Sequence, residues 1–277
     1  MQKYGFLYEN RFFLYFCTEI VNNRMLSVKN LTFSYDKKPV LTDLSFDVPD
    51  GDFCAVIGPN GSGKSTLLKA LSGLLPGDVR SAVWVDGKPL TASTPLALAR
   101  KVAYVSQRMD IVFDFPVFDT VMMGRHPHQS RWETGTPHDR EVVEEMLRRT
   151  GLLHLKDRML TQLSGGEVQR VMIARAMAQQ TPVLLLDEPL SNLDVSHKFE
   201  VMNLLCNLNR EQNVTVMIVV HDFAFAKQFA TTTMLLKDGK IQAHGKTDEV
   251  ITPDRIRAAF DLHEGYCLDE RGNVYCR

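Results

Sequence analysis

The sequence predicts an α/β fold with an antiparallel β lobe at its N-terminal side, a core sheet of buried parallel strands, and a helical lobe inserted into that core. Three observations carry this. The apolar run Phe53 to Ile57 passes through a glycine-rich loop into a helix. All-apolar runs return at Val183 to Leu186 and Val214 to Val220, each ending in charged or ionisable residues, as parallel strands buried on both faces do. The intervening stretch from about Arg108 to Thr161 is charge-rich and helix-patterned.

Taken in order, residues 1–24 are crowded with aromatics and follow no period. They read as an extension outside the domain, with translation starting at Met25; the competing reading is an amphipathic anchor. Leu26 to Phe33 and Leu44 to Val48 alternate as strands, separated by the turn-rich Asp36-Lys37-Lys38-Pro39, and Pro49-Asp50-Gly51-Asp52 leads into the buried Phe53 to Ile57. After Gly63 the pattern is helical through Leu75, with Leu67, Leu68, Leu71 and Leu74 on one face. In the inserted lobe, at about 108–165, the loop Arg125-His126-Pro127-His128 precedes a helix over Arg140 to Gly151 striped by Val142, Val143, Met146 and Leu147. The domain is thus expected over 25–260, followed by a tail, 261–277.

Composition narrows the function classes. With 277 residues, 44% hydrophobic and 23% charged, the chain can bury a substantial core, so fibrous and wholly disordered readings are excluded. Lys+Arg total 32 against Asp+Glu 33, a net charge of −1, so no global field draws the protein to nucleic acid, and no nucleic-acid partner is expected. The 5 cysteines (Cys17, Cys54, Cys206, Cys267, Cys276) are odd in number and form no Cys-x-x-Cys pair, which argues against a disulfide framework or a zinc finger and for a reducing cytosol. Cys267 and Cys276 bracket the turn-forming Asp269-Glu270-Arg271-Gly272 and are expected to face each other as free thiols. No segment approaches the roughly 18 to 20 consecutive apolar residues of a membrane-spanning helix.

The chemistry lies in three motifs. Gly58-Pro59-Asn60-Gly61-Ser62-Gly63-Lys64-Ser65-Thr66 fits G-x-x-x-x-G-K-[ST] between a buried strand and a helix. There the glycines let the backbone curl around an anion, freed N–H groups hold phosphate oxygens, Lys64 neutralises the β/γ charge, and Ser65 can ligate Mg²⁺. Asp187 and Glu188 end the run Val183 to Leu186, where a parallel sheet delivers side chains to the ligand crevice: Asp187 to hold Mg²⁺, Glu188 to act as general base on water. Ser164-Gly165-Gly166-Glu167 opens a helical run, Val168 to Gln179. Ser164 and Glu167 form a capping box, whereas the double glycine implies close backbone approach by something outside the chain, a second anion site.

The order of phosphate loop, Gln107, Leu163-Ser164-Gly165-Gly166-Glu167, Asp187-Glu188 and His221 resembles the ATP-binding cassette ATPases of ABC transporters, from about Met25 onward. That resemblance implies a RecA-like P-loop core (the ABC nucleotide-binding domain), ATP and Mg²⁺ as ligands, and ATP hydrolysis. By position, Tyr35 looks like the aromatic that stacks on adenine and Gln107 like the residue that senses Mg²⁺ and the attacking water. His221 looks like the switch histidine at the γ-phosphate, and Ser191-Asn192-Leu193-Asp194 like the loop coupling two cassettes. The sequence departs from the family at Glu167, where Gln is frequent, and at Leu190, where a small or hydroxyl residue is more usual; neither removes a phosphate ligand.

The resemblance implies a head-to-tail homodimer of cassettes, each signature helix meeting ATP held by the other's phosphate loop. It also implies two transmembrane permease subunits, a substrate-binding protein acting through them, and a place on the cytoplasmic face of the membrane. The runs Lys101 to Gln107, Phe115 to Val121 and Met123 to His128 are similar to importer ATPases for iron–siderophore, haem and cobalamin. His126 and His128 lack further ligands at recognisable spacing, so no metal beyond Mg²⁺ is expected. A soluble ATPase of this family driving a non-transport assembly, such as iron–sulfur cluster biogenesis, shares every nucleotide motif and stays open as the alternative.

Overall fold

The computed structural model describes residues 24–107, 114–130, 135–263 and 265–276. The expectations for residues 1–23, a start at Met25 or an anchor, lie outside the described residues, as does Cys17. Strand β1 (Arg24–Tyr35) pairs antiparallel with β2 (Lys38–Pro49). Both strands are longer than their patterns predict. The turn between them is only Asp36 and Lys37, at φ 45° and 68°, so Lys38 and Pro39 already belong to β2. β3 (Phe53–Ile57) enters the phosphate loop, and helix α1 (Lys64–Leu71) leaves it. This helix stops short of the predicted Leu75 because the chain turns at Gly73, φ 73°. Leu67, Leu68 and Leu71 are buried as expected, while Leu74 is 62% exposed.

β4 (Val83–Val85) and β5 (Lys88–Pro89) complete a four-stranded sheet in the order β2-β1-β4-β5. Helix α2 (Pro95–Ala99) precedes β6 (Val102–Val105). The inserted lobe contains α3 (Val117–Met122), a 3-10 turn over Met123–His128, and α4 (Pro137–Arg149). α4 begins earlier than its apolar stripe suggests because Thr136 and Asp139 form a reciprocal cap and Pro137 occupies the first turn. Val142, Val143, Met146 and Leu147 are buried as predicted. α5 (Gly165–Ala178) starts at the double glycine, three residues before the predicted Val168.

β7 (Val183–Leu186), α6 (Val195–Gln212), β8 (Thr215–Val219), α7 (Phe223–Phe229), β9 (Thr232–Lys237), β10 (Lys240–Lys246), α8 (Thr247–Val250) and α9 (Pro253–Phe260) follow. The six-stranded core sheet runs β10-β9-β3-β8-β7-β6, parallel except at β10. Its strands serve two cores by alternation. Phe53, Ala55, Ile57, Leu184, Leu186, Val216 and Ile218 face the helices of one side; Cys54, Val56, Val183, Leu185, Met217 and Val219 pack with α1 and the β lobe on the other. At roughly 1.5–3 kcal/mol per fully buried aliphatic side chain, this two-sided burial outweighs the strands' shortness. Cys54 and Cys206 are buried free thiols, and burial pushes Cys54 up to about 12.

The tail forms a hairpin of β11 (Tyr266–Leu268) and β12 (Val274–Cys276), whose register pairs Cys267 with Tyr275 and Tyr266 with Cys276. The expectation that Cys267 faces Cys276 is thereby corrected. The five-residue turn Asp269–Asn273 is one residue shorter than the one that would set Cys267 opposite Cys276. Cys267 is a free thiol. Among the described residues no helix is long and apolar enough to cross a membrane.

Register sets the position of the chemistry. Val56 pairs with Val219, Ile218 with Leu186, and Leu186 with Val105, so β3, β8, β7 and β6 end at a common edge. Gly58 and Asp187 follow those ends directly and His221 and Gln107 one residue later, at the crevice where open parallel sheets take their ligands.

Candidate active site

The phosphate loop closes through close approach. A Cβ at Gly58 would stand 2.1 Å from the carbonyl oxygen of Leu236, so only glycine fits between the loop and β9. Lys64, 5% exposed, donates from Nζ to the carbonyl oxygens of Gly58 at 2.8 Å and Pro59 at 3.0 Å, spanning the loop from beneath. Ser62 is buried and its Oγ has no partner. A buried hydroxyl without a partner costs about 1–3 kcal/mol, and Ser62 is not among the residues that line the cavity above the loop.

Above the loop lies a cavity of about 540 Å³ lined by Val40, Asn60, Gly61, Gly63, Lys64, Ser65, Thr66, Gln107, Glu188 and His221. Asp187, 2% exposed, accepts from Ser65 Oγ at 3.0 Å on Oδ1 and a long hydrogen bond, 3.4 Å, from Tyr104 Oη on Oδ2. Glu188 sits at φ 50°, a left-handed conformation that costs a non-glycine residue about 1–3 kcal/mol and that turns its side chain away from the strand's own alternation. Its Oε2 accepts from Gln107 Nε2 at 2.6 Å and its Oε1 lies 2.7 Å from His221 Nε2.

Burial disfavours charge on both ions at the base of this cavity. It holds the Lys64 ammonium below the usual lysine range, against the opposing pull of Glu188 and Asp187. It also raises Asp187, opposed by the Ser65 hydrogen bond and reinforced by the neighbouring Glu188 charge. Tyr104 is likewise raised, first by burial and then by the Asp187 charge. Ser65 and Asp187 offer hard oxygen donors within 3.0 Å of one another, a set whose chemistry suits Mg²⁺.

The structure therefore gathers the phosphate loop, Gln107, Asp187, Glu188 and His221 into one site. The remaining candidates lie elsewhere. Tyr35, 45% exposed, meets Phe33 edge-to-face at 4.8 Å and is not among the cavity's lining residues. Ser164 and Glu167 cap α5: Ser164 Oγ accepts from Glu167 N at 3.3 Å, and Glu167 Oε2 accepts from Ser164 N and Oγ, each at 2.8 Å. These bonds hold the Glu167 carboxyl below its usual range. Asp194 caps α6, accepting from His197 N at 2.9 Å and holding His197 Nδ1 at 2.8 Å. None of Ser164, Gly165, Gly166, Glu167 and Asp194 borders the phosphate cavity of its own chain. Val40, which lines the cavity, and Tyr104, which donates to Asp187, are further residues of the site. A hydroxyl-bearing ring inside the apolar run Val102 to Val105 was the available signal for Tyr104; Val40 offers none.

The Arg125-His126-Pro127-His128 segment is a 3-10 turn whose arginine is buried rather than solvated. Arg125 Nε donates to Asp139 Oδ1 at 2.9 Å, and its Nη1 donates to Ala178 O at 2.8 Å and Gln180 Oε1 at 2.7 Å. His126 and His128 are exposed, and His128 Nε2 lies 2.7 Å from Gln179 O.

Comparison with known proteins places these features in a family. The protein-family model described as ABC transporter matches residues 41–191. The chain is 38% identical over 234 residues to the ferric enterobactin transport ATP-binding protein FepC of Escherichia coli, covering 84% of this chain and 86% of that one. It is 40% identical over 236 residues to the cobalamin import ATP-binding protein BtuD of Halobacterium salinarum, covering 85% of this chain and 58% of that longer relative. Among solved structures, a dimeric bacterial ABC transporter cassette superposes with a TM-score of 0.69 at 28% identity, covering 80% of this chain and 99% of that one.

Proposed function

Because the chain belongs to the ATP-binding cassette family of ABC transporters, we propose that it is the ATP-hydrolysing subunit of an importer whose cargo is an iron complex, siderophore or haem, or cobalamin. Residue identity and geometry support the ATPase; the names of the relatives support the cargo class. The observation that carries the reading is Glu188, held between Gln107 and His221 at the rim of the phosphate-loop cavity.

In this reading the loop amides and Lys64 bind the β- and γ-phosphates of ATP. Ser65 and Asp187 hold Mg²⁺, with Gln107 beside them; bound there, the ion neutralises charge developing on the transferred phosphoryl group. A polyanion beside Lys64 and a cation beside Asp187 each favour the charged form that burial disfavours. Glu188 accepts a proton from the attacking water, a contribution of about 10²- to 10⁴-fold. Gln107 fixes the carboxylate, and His221 reaches the γ-phosphate side.

The signature residues Ser164 to Glu167, which lie off their own cavity, serve ATP bound by a second copy, so turnover belongs to a homodimer. The helical lobe docks on two permease subunits at the membrane, and through them a substrate-binding protein delivers cargo. The test is affinity purification of tagged protein from gently solubilised native membranes. A co-purifying polytopic permease is expected; recovery only from the soluble fraction with assembly proteins would overturn the import reading while leaving the ATPase in place.

A further inference from the structure

His221 is followed immediately by α7, a helix of seven residues, too short to hold its own position without tertiary support. Asp222 caps it, its Oδ1 accepting from Ala224 N at 2.8 Å and Phe225 N at 3.3 Å. On one side Phe223 meets Phe260 of α9 edge-on, with ring centroids 5.1 Å apart. On another, the turn of the C-terminal hairpin rests on the first residues of the helix.

That contact is backbone to backbone. Gly272 is buried at φ 92°, and a Cβ there would stand 2.9 Å from the carbonyl carbon and oxygen of Phe223 and 3.0 Å from Ala224 N. One helical turn on, Lys227 Nζ donates to Glu270 O at 2.9 Å. The turn is itself stiff, because Asp269 Oδ1 accepts from Arg271 N at 2.9 Å and Asn273 N at 2.8 Å, and Oδ2 accepts from Asn273 Nδ2 at 2.8 Å. Leu268 anchors the hairpin on the core. The helix that follows His221 is thus held by the C-terminal hairpin.

We infer that the C-terminal hairpin positions His221 for ATP turnover, acting through α7, with Gly272 as its contact residue and Lys227 as its latch. The inference rests on the roles proposed above for His221 and Glu188. Neither the hairpin nor α7 lines the phosphate cavity, so the effect falls on the chemical step rather than on nucleotide binding.

The experiment measures ATP hydrolysis by full-length Gly272→Val and Lys227→Met, each alone and combined with His221→Ala. Asp248→Asn is the control, since Asp248 is a second, exposed partner of Lys227, 3.6 Å away. Expected is a fall in kcat of fivefold or more for both single variants, KM for ATP within twofold of the parent, and no further loss beyond twofold in the His221→Ala background. Asp248→Asn should keep the parent rate. Both single variants within twofold of the parent kcat, or losses that add in full to that of His221→Ala, would overturn the hairpin's role alone. Undiminished turnover by His221→Ala would instead overturn the reading of the site, and this inference with it. Should Gly272→Val fold poorly, Lys227→Met decides the matter, because it leaves the hairpin backbone unchanged.

Discussion

The Nε2 atom of His221 stands 2.7 Å from Oε1 of Glu188, bridging the ends of two neighbouring parallel strands. The other carboxylate oxygen accepts from Gln107 at the end of a third. Three strand ends thus hold one carboxylate, which is 14% exposed. A side chain so constrained is organised before substrate arrives, which is how positioned electrostatics lowers a barrier.

Glu188→Gln keeps the shape of the side chain and removes its basicity. Hydrolysis is expected to fall by about 10²- to 10⁴-fold, with ATP affinity retained and an ATP-dependent dimer accumulating in size-exclusion chromatography. Lys64→Ala should instead lose nucleotide binding, because the buried cation under the loop is gone. A Glu188→Gln protein that stays monomeric in ATP and turns over at the parent rate would refute the mechanism.

The Arg125–Asp139 pair is a stability element, both side chains being about 95% buried. Burial works to raise the Asp139 carboxyl, but the hydrogen bonds from Arg125 and Thr136 outweigh it and hold the group below its ordinary value. A depressed native value means that the native state binds fewer protons than the unfolded one. The contribution is therefore complete above the unfolded carboxylate value of about 3.9 and is lost as pH falls below it through the native value. Asp139→Asn should flatten this acid limb in urea titrations. Asp139→Ala, which leaves the Arg125 charge buried without its carboxylate, should cost about 3–5 kcal/mol at pH 7. An acid limb as steep in Asp139→Asn as in the parent would show that other carboxylates carry it.

Much of this was legible in the chain. Val183 to Leu186 and Phe53 to Ile57 are apolar throughout because parallel strands bury both faces, and the glycine loop stands where such a strand passes into a helix, the setting its motif requires. What stayed hidden depends on long-range partners. Arg125 reads as a polar loop residue because Asp139, Ala178 and Gln180 come to it only through tertiary structure. Leu74 fits the helical stripe, yet the turn at Gly73 places it in solvent. The signature segment was found by its spacing, but its proposed ligand belongs to another chain, so the fold of one copy shows only the capping box.

The double glycine separates what the helix needs from what a second copy needs. Ser164 and Glu167 cap α5 by satisfying each other's amides. At Gly166 a Cβ would stand 3.2 Å from Asn192 O and 3.3 Å from Leu193 Cδ2, so packing within the chain already accounts for that glycine. At Gly165 a Cβ would meet nothing within 4 Å, and nothing in its own chain calls for glycine there. Gly165→Ala should therefore leave the fold as stable as before or raise it by up to about 1 kcal/mol, since alanine is the better helix former. If the open space is where the phosphates held by the partner copy approach, the added methyl group intrudes on them. Turnover and ATP-dependent dimerisation should then fall at least tenfold in a protein whose thermal unfolding is undiminished. Parent-level turnover by Gly165→Ala would show that the signature helix does not meet nucleotide through this face.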